Sequence, residues 1–95
     1  MYQLDFTQHF SRRYQKLTKK NLQLKEQIAH IFECLAIDPF SRNLETHKVK
    51  ARHFGVSYSS TVTSNIRIIW NFNPDDKIRL LLLDLGGHSR KRGVY

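Results

Sequence analysis

Hydrophobic positions recur at a helical period in the first half of the chain and at a strand period in the second half. Residues 2–6 alternate between apolar and polar side chains, which predicts a short, half-buried strand. Apolar residues then return every three or four positions over residues 10–17 and again over residues 24–35, as in two amphipathic helices. Thr7 and Asn21 precede these helices and have side-chain oxygens suited to N-caps, so each helix has a defined start.

The second half is typical of an antiparallel sheet. Strand-like segments cover residues 47–53, 56–63 and 66–72, and a turn signal at residues 73–76 leads into residues 78–85. That last segment is apolar on both faces, which predicts a central strand. We therefore expect an α+β fold in a single domain over residues 1–95. Its N-terminal strand and two helices pack on one face of a mainly antiparallel sheet of four to five strands.

The charge of the chain narrows its partners. Sixteen Lys and Arg face eight Asp and Glu, which gives a formal net charge of +8 and a pI near 10.0. Such a field attracts nucleic acid, an acidic membrane surface or an acidic protein, and the lack of a bilayer-length apolar run disfavours the membrane. Cys34 is the single cysteine, so no intrachain disulfide is possible, and the N-terminus lacks a signal-peptide pattern. A cytoplasmic protein is the expectation.

The candidate chemistry is cleavage of RNA without a metal. The five histidines form no metal-ligand pattern and the sequence has no phosphate-binding glycine loop, so no metal and no cofactor are expected. RNA cleavage by its own 2′-hydroxyl needs a base, an acid and cations near the phosphate. The second half of the chain gathers residues of these types, namely His47, Lys48, Lys50, Arg52, Arg67, His88, Arg90 and Tyr95.

Each of these residues also has a structural interpretation. Lys48, Lys50 and Arg52 share one side of the predicted strand 47–53, where they either contact phosphate or protect a sheet edge from aggregation. Arg67 interrupts an apolar strand, so it either faces a polar concavity or pairs with a carboxylate. His88 follows two glycines at the end of the last strand, a position that suits a catalytic loop residue or a merely exposed one. The sheet face opposite the helices is expected to be concave and basic.

Four segments carry a resemblance to a known family: LETHKVKA at residues 44–51, NIRIIWNF at 65–72, IRLLLLDLGGH at 78–88 and the final GVY. In this order and spacing, behind two basic helices, they resemble the RelE/ParE superfamily of bacterial toxins. The similarity is greatest to its RNA-cutting RelE and YafQ-like branch. The resemblance implies the fold described above, cleavage of messenger RNA, often on the ribosome, and inhibition by an antitoxin from the same operon.

The resemblance also implies roles for individual residues. Arg67 falls where RelE-like toxins hold an arginine against the scissile phosphate. His88 and His47 fall on histidine positions of YafQ-like members, and His88 matches their catalytic histidine after the final core strand. Tyr95 matches a terminal tyrosine that RelE-like members use near the 2′-hydroxyl or to stack on a base.

The sequence departs from the RelE pattern at two places. Residues 57–63 contain no basic side chain where RelE carries lysines, and Ser89 stands where RelE has an arginine, with Arg90 beside it. Three functions therefore stay open: a metal-independent endoribonuclease, a ParE-like toxin that binds DNA gyrase, and an inert homologue that retains only antitoxin or RNA binding. In the first, Arg67 works with Lys48 and Lys50 on the phosphate backbone.

Overall fold

The fold consists of five strands and two helices in the part of the chain that the computed structural model describes, residues 1–87 and Val94. The elements are β1 (Gln3–Phe6), α1 (Gln8–Thr18), α2 (Leu22–Ile37), a short 3-10 helix (Arg42–Leu44), β2 (His47–Ala51), β3 (Gly55–Thr61), β4 (Ile66–Asn73) and β5 (Asp76–Gly87). The predicted caps are confirmed. The Thr7 hydroxyl accepts from the backbone N–H of Phe10 at 3.2 Å, and the Asn21 carbonyl oxygen accepts from that of Leu24 at 3.0 Å.

All five strands form one sheet in the order β1-β5-β4-β3-β2. β1 runs parallel to β5, and the other neighbours are antiparallel. β5 is an interior strand, flanked by β1 and β4, as its two apolar faces predict. β1 and β2 are the two edge strands. The α+β architecture with an N-terminal strand and two helices on a mainly antiparallel sheet is confirmed.

The main core lies between the helices and the sheet. Both helices bury their apolar stripes against alternate residues of β4 and β5. The buried members are Phe10, Leu24, Ile28, Ile31, Leu35, Leu44, Ile68, Trp70, Leu80, Leu82 and Leu85. The indole Nε1–H of Trp70 donates to the hydroxyl of Ser60 at 2.8 Å, which satisfies a polar group inside this core. Neither helix in the described ranges has the length and hydropathy that crossing a bilayer requires.

A smaller apolar cluster covers the other side of the sheet, which we call the helix-free face. Its buried members are Ala51, Ile69 and Val94, and Val49, Phe54 and Leu83 pack against them. Residues 57, 59 and 61 of β3 and 67, 69 and 71 of β4 belong to this face, because successive strand residues point to opposite sides. The face that the sequence predicts to be concave and basic is therefore apolar at its centre.

β2 is shorter than the sequence predicts. It ends at Ala51 instead of residue 53, because the chain turns through a positive φ of 73° at His53 and pairs again from Gly55, where φ is 70°. Arg52 lies in this turn, with its backbone N–H donating to the carbonyl oxygen of Val94 at 2.8 Å. It does not continue the side of the strand that Lys48 and Lys50 occupy.

Candidate functional site

Arg67 lies on the helix-free face, in the middle of the sheet and near the end of β5. It belongs to β4 and is paired with Thr61 of β3 on one side and with Gly86 of β5 on the other. Gly87 follows opposite Ile66, and His88 is the next residue in the chain. The predicted site residues His88, Arg90 and Tyr95 lie outside the described residues.

The charge of Arg67 is held in place by backbone carbonyls. Its Nη1 donates to the carbonyl oxygen of Thr63 at 2.6 Å and to that of Ile66 at 3.3 Å, and the side chain is half-buried. Within residues 1–87 no carboxylate forms an ion pair with it. The sequence leaves open whether Arg67 faces a polar concavity or pairs with a carboxylate. In the described part of the chain, Arg67 does not pair with a carboxylate. A guanidinium fixed in this way presents its remaining N–H donors to an anion in a fork that matches phosphate oxygens.

His47 shares the helix-free face with Arg67. It begins β2 opposite Ser59, and its exposed ring forms a hydrogen bond from Nδ1 to the carbonyl oxygen of Glu45 at 2.9 Å. A carbonyl oxygen can only accept, so Nδ1 carries the hydrogen and Nε2 of the neutral ring keeps its lone pair. Glu45 has a positive φ of 50°, and this left-handed residue places the carbonyl beside the ring. The neutral ring is therefore arranged as a proton acceptor.

The two residues are separated by one intervening strand. β2 and β4 flank β3, and His47 lies opposite Ser59 whereas Arg67 lies opposite Thr61, two residues further along β3. With a strand spacing of about 4.8 Å and a rise of about 3.4 Å per residue, their backbones lie roughly 12 Å apart. Of the hydroxyl residues of β3 on this face, Ser57 and Ser59 are buried, and Thr61, beside Arg67, is partly exposed.

Lys48 and Lys50 point to the opposite face of the sheet from Arg67. Lys48 is paired with Tyr58, whose ring stacks on Trp70 at a centroid distance of 4.8 Å in the helix-side core. Lys50 is paired with Val56, two residues earlier on the same side of β3. Both lysines are exposed at the edge. The structure therefore does not bring the two lysines and Arg67 together on one face of the sheet.

A second polar group, which the sequence pattern does not predict, lies at the junction of α1 and β5. The carboxylate of Asp84 has only 3% of its side chain exposed. It accepts from His9 Nε2 at 3.0 Å and from the backbone N–H of Leu85 at 2.8 Å, and Arg13 Nε lies 3.9 Å away. The available signal was an aspartate inside a strand that is otherwise apolar on both faces.

The contact between α1 and β5 carries His9 toward the helix-free face. β1 ends at Phe6, opposite Leu82, and no other strand of residues 1–87 pairs with that side of β5 beyond this point. His9, in the first turn of α1, contacts β5 there through Asp84. The ring of His9 meets that of Phe54 edge-on at 5.5 Å, and Phe54 packs in the apolar cluster of the helix-free face. His9 therefore lies at the margin of the surface that holds Arg67.

The described ranges contain no group of three His, Cys, Asp or Glu side chains arranged to hold a metal ion. The described side chains on the helix-free face and at its margin include the imidazoles of His9 and His47 and the guanidinium of Arg67. They can hold a phosphodiester and move protons at it.

No protein-family model and no curated protein sequence matches the chain. Solved structures do match it. The YoeB/ParE toxin from Agrobacterium tumefaciens superposes with a TM-score of 0.72 at 16% identity, over 92% of this chain and 99% of that one. The archaeal RelE-RelB complex from Pyrococcus horikoshii OT3 gives a TM-score of 0.69 at 19% identity over 94% and 97%. YafQ from E. coli strain BL21(DE3) gives 0.69 at 16% identity over 93% and 94%.

These likenesses extend over nearly the whole of each pair of chains, so they concern the complete arrangement of strand, helices and sheet. At 16–19% identity they establish the fold and leave the chemistry to be argued from the residues. The chain has the fold shared by the RelE, YafQ and YoeB/ParE structures.

Proposed function

We propose that the protein is the toxin of a toxin–antitoxin pair and acts in the cytoplasm as a metal-independent endoribonuclease on messenger RNA. The observation that carries this proposal is the half-buried guanidinium of Arg67 on the helix-free face. Backbone carbonyls fix it, and no carboxylate of the described residues neutralises it. The net charge of +8 supports a polyanionic substrate.

In the proposed reaction the 2′-hydroxyl of a nucleotide attacks the adjacent phosphorus, and the bond to the 5′-oxygen of the next nucleotide breaks. The products are a 2′,3′-cyclic phosphate and a free 5′-hydroxyl. Arg67 binds the non-bridging oxygens and stabilises the charge that builds on them. His88 is one of the two proton-transfer groups, and His47, through its Nε2, or Tyr95 is the other.

The remaining predicted residues have a supporting role in this proposal. Arg52 and Arg90 contact the phosphate backbone of the RNA. Lys48 and Lys50, which point away from Arg67, bind RNA that passes over the β2 edge and not the scissile phosphate. A ribosome-bound message is one form of the substrate.

The partner protein is an antitoxin that masks the basic surface. The Pyrococcus horikoshii structure is itself a RelE-RelB complex, and a chain of it has the fold described here. An acidic antitoxin segment suits a chain with twice as many basic as acidic residues.

Arg67→Ala tests the proposal. The parent, Arg67→Ala and Arg67→Lys are expressed without an antitoxin while growth and messenger RNA cleavage sites are followed, and each purified protein is incubated with a labelled RNA oligonucleotide. Loss of one transition-state donor costs about 10²–10³-fold in rate, and Lys restores only part because it lacks the planar fork. Arg42→Ala, an exposed arginine in the 3-10 helix, is the matched control and keeps the parent's rate.

Three outcomes reject the proposal as stated. If Arg67→Ala cleaves RNA as fast as the parent, the site is elsewhere. If the parent arrests growth and inhibits purified DNA gyrase without cleaving RNA, the ParE-like alternative is correct. If strong expression of soluble, folded parent leaves growth and RNA intact, the chain is an inert homologue.

A further inference from the structure

A basic groove runs along α1 on the outside of the helical layer, apart from Arg67 and the helix-free face. It has a volume of about 790 Å³. Its charged and titratable lining consists of His9, Arg12, Arg13, Lys16, Lys19 and Lys25. The two remaining lining residues are Gln15 and Thr18, so the lining contains no acidic side chain.

The lysines and Arg12 of this groove are not neutralised by neighbours. Arg13 approaches Asp84, but Arg12, Lys16, Lys19 and Lys25 are exposed and none of them pairs with a carboxylate of residues 1–87. Four like charges on one small surface repel one another, and a bound polyanion relieves that repulsion.

The spacing of the charges fits a linear polyanion. Arg12 and Lys16 of α1 and Lys19, its C-cap residue with helical backbone angles, stand at positions i, i+4 and i+7, so they form a row on one side of the helix. At 1.5 Å per residue the row is about 10 Å long. A stacked nucleic-acid strand carries one phosphate per about 3.4 Å, so the row matches a few consecutive phosphates. Lys25 adds a cation from α2, across the groove.

The lining favours a nucleic acid over a protein. Protein partners are held by apolar and aromatic anchors at the centre of the interface, and this groove offers none. The anchors that a protein needs lie in a second, apolar groove beside α1. It is lined by Phe10 and Tyr14 of α1, Phe6 of β1 and Phe32 of α2. A phosphate backbone needs only cations and hydrogen-bond donors, which are what the basic groove supplies.

We propose that the α1 groove binds the phosphate backbone of a single-stranded nucleic acid, and that this strand is RNA, a choice that rests on the proposed function. The groove includes His9, whose ring also contacts Phe54 of the helix-free face. An RNA segment in the groove therefore continues past His9 onto the face that holds Arg67. The groove adds affinity and directs the strand without touching the cleaved phosphate.

The test measures binding separately from cleavage. Lys16→Gln/Lys19→Gln is compared with Arg42→Gln/Lys77→Gln, which removes two exposed charges outside the groove. Glutamine is a good helix former, and matched circular dichroism melts confirm that both variants are folded. All proteins also carry Arg67→Ala, and the probes are a fluorescent 2′-O-methyl RNA, which cannot be cleaved by 2′-hydroxyl attack, the same sequence in DNA, and poly-glutamate.

The salt dependence of binding gives the expected result. The slope of log K against log salt falls in magnitude by roughly 0.7 for each phosphate that the protein no longer neutralises, so by about 1.4 in the groove variant and by much less in the control. Equal slopes for the two variants overturn the proposal. If the groove variant loses only poly-glutamate binding, the proposal is overturned, because the groove then binds an acidic protein. If the protein with an intact groove binds the DNA probe but not the RNA probe, the choice of RNA is overturned.

This result is independent of the cleavage test. A groove variant that loses RNA affinity supports the inference even where the parent cleaves nothing, and in that case only the enzymatic proposal fails. A parent that cleaves RNA, together with a groove variant that binds as tightly as its control, rejects the groove and leaves the active site standing.

Discussion

The contacts of Asp84 predict how strongly the α1–β5 junction depends on one carboxylate. Asp84→Asn keeps the size of the side chain and its acceptor oxygen for the N–H of Leu85, but it removes the negative charge that faces His9 and Arg13. Because the carboxylate is 3% exposed, solvent and salt screen its interactions only weakly. His9 and Arg13 are 43% and 26% exposed, so after the substitution both can turn toward water.

These exposures set the magnitude. Breaking a fully buried ion pair costs about 3–5 kcal/mol because the remaining charge stays buried without a partner. In Asp84→Asn neither His9 nor Arg13 is left buried without a partner, because both side chains reach water. The cost is that of removing hydrogen bonds to a charged acceptor, about 1.5–3 kcal/mol. For a domain of this size each kcal/mol lowers the melting temperature by about 4–8 °C, so the Asn variant should melt roughly 6–24 °C below the parent.

Urea unfolding and thermal melts of Asp84→Asn measure this change, with Asp75→Asn as the matched control. Asp75 lies exposed in the β4–β5 turn, and its substitution should change the free energy of unfolding by less than about 0.5 kcal/mol. A double-mutant cycle with His9→Ala separates the imidazole from the other donors, and we expect a coupling energy above about 0.5 kcal/mol. The reasoning is wrong if Asp84→Asn has the same free energy of unfolding as Asp75→Asn. It is also wrong if the effects of Asp84→Asn and His9→Ala on that free energy are additive.

Two further predictions concern stability. Ser60→Ala leaves the buried Nε1–H of Trp70 without its 2.8 Å acceptor and should cost about 1–3 kcal/mol in urea unfolding, whereas Ser64→Ala in the exposed β3–β4 turn should be near neutral. Gly55→Ala should cost about 1–2 kcal/mol from its φ of 70° alone, because an added Cβ at this position meets nothing within 4 Å. A Gly55→Ala variant as stable as the parent contradicts the left-handed turn.

The elements themselves could be predicted because each depends on local periodicity. The stripes of the two helices, the caps at Thr7 and Asn21 and the two-sided apolar pattern of β5 are encoded within a few neighbouring residues, and the structure confirms them. The end of β2 could not be predicted in this way. Alternation continues through residues 47–53, and the positive φ at His53 leaves no mark on the hydrophobic pattern.

The candidate site was less predictable because it depends on pairing between distant segments. His9 and Asp84 are 75 positions apart, so no motif spacing brings them together. Their contact requires that β1 pair in parallel with β5 and stop at Phe6, which leaves the end of β5 open to α1. That register becomes visible only in the folded chain.

The separation of Lys48 from Arg67 has a consequence for the path of RNA. Both residues lie on strands of one sheet, but the register places Lys48 opposite Tyr58 on the helix side and Arg67 opposite Thr61 on the helix-free side. A strand held by Arg67 must pass over the β2 edge to reach Lys48. Near β5, the contact between His9 and Phe54 joins the α1 groove to the helix-free face. If RNA follows the His9 side, as we propose, neutralising Lys16 and Lys19 weakens binding more than neutralising Lys48 and Lys50, although each pair removes two charges.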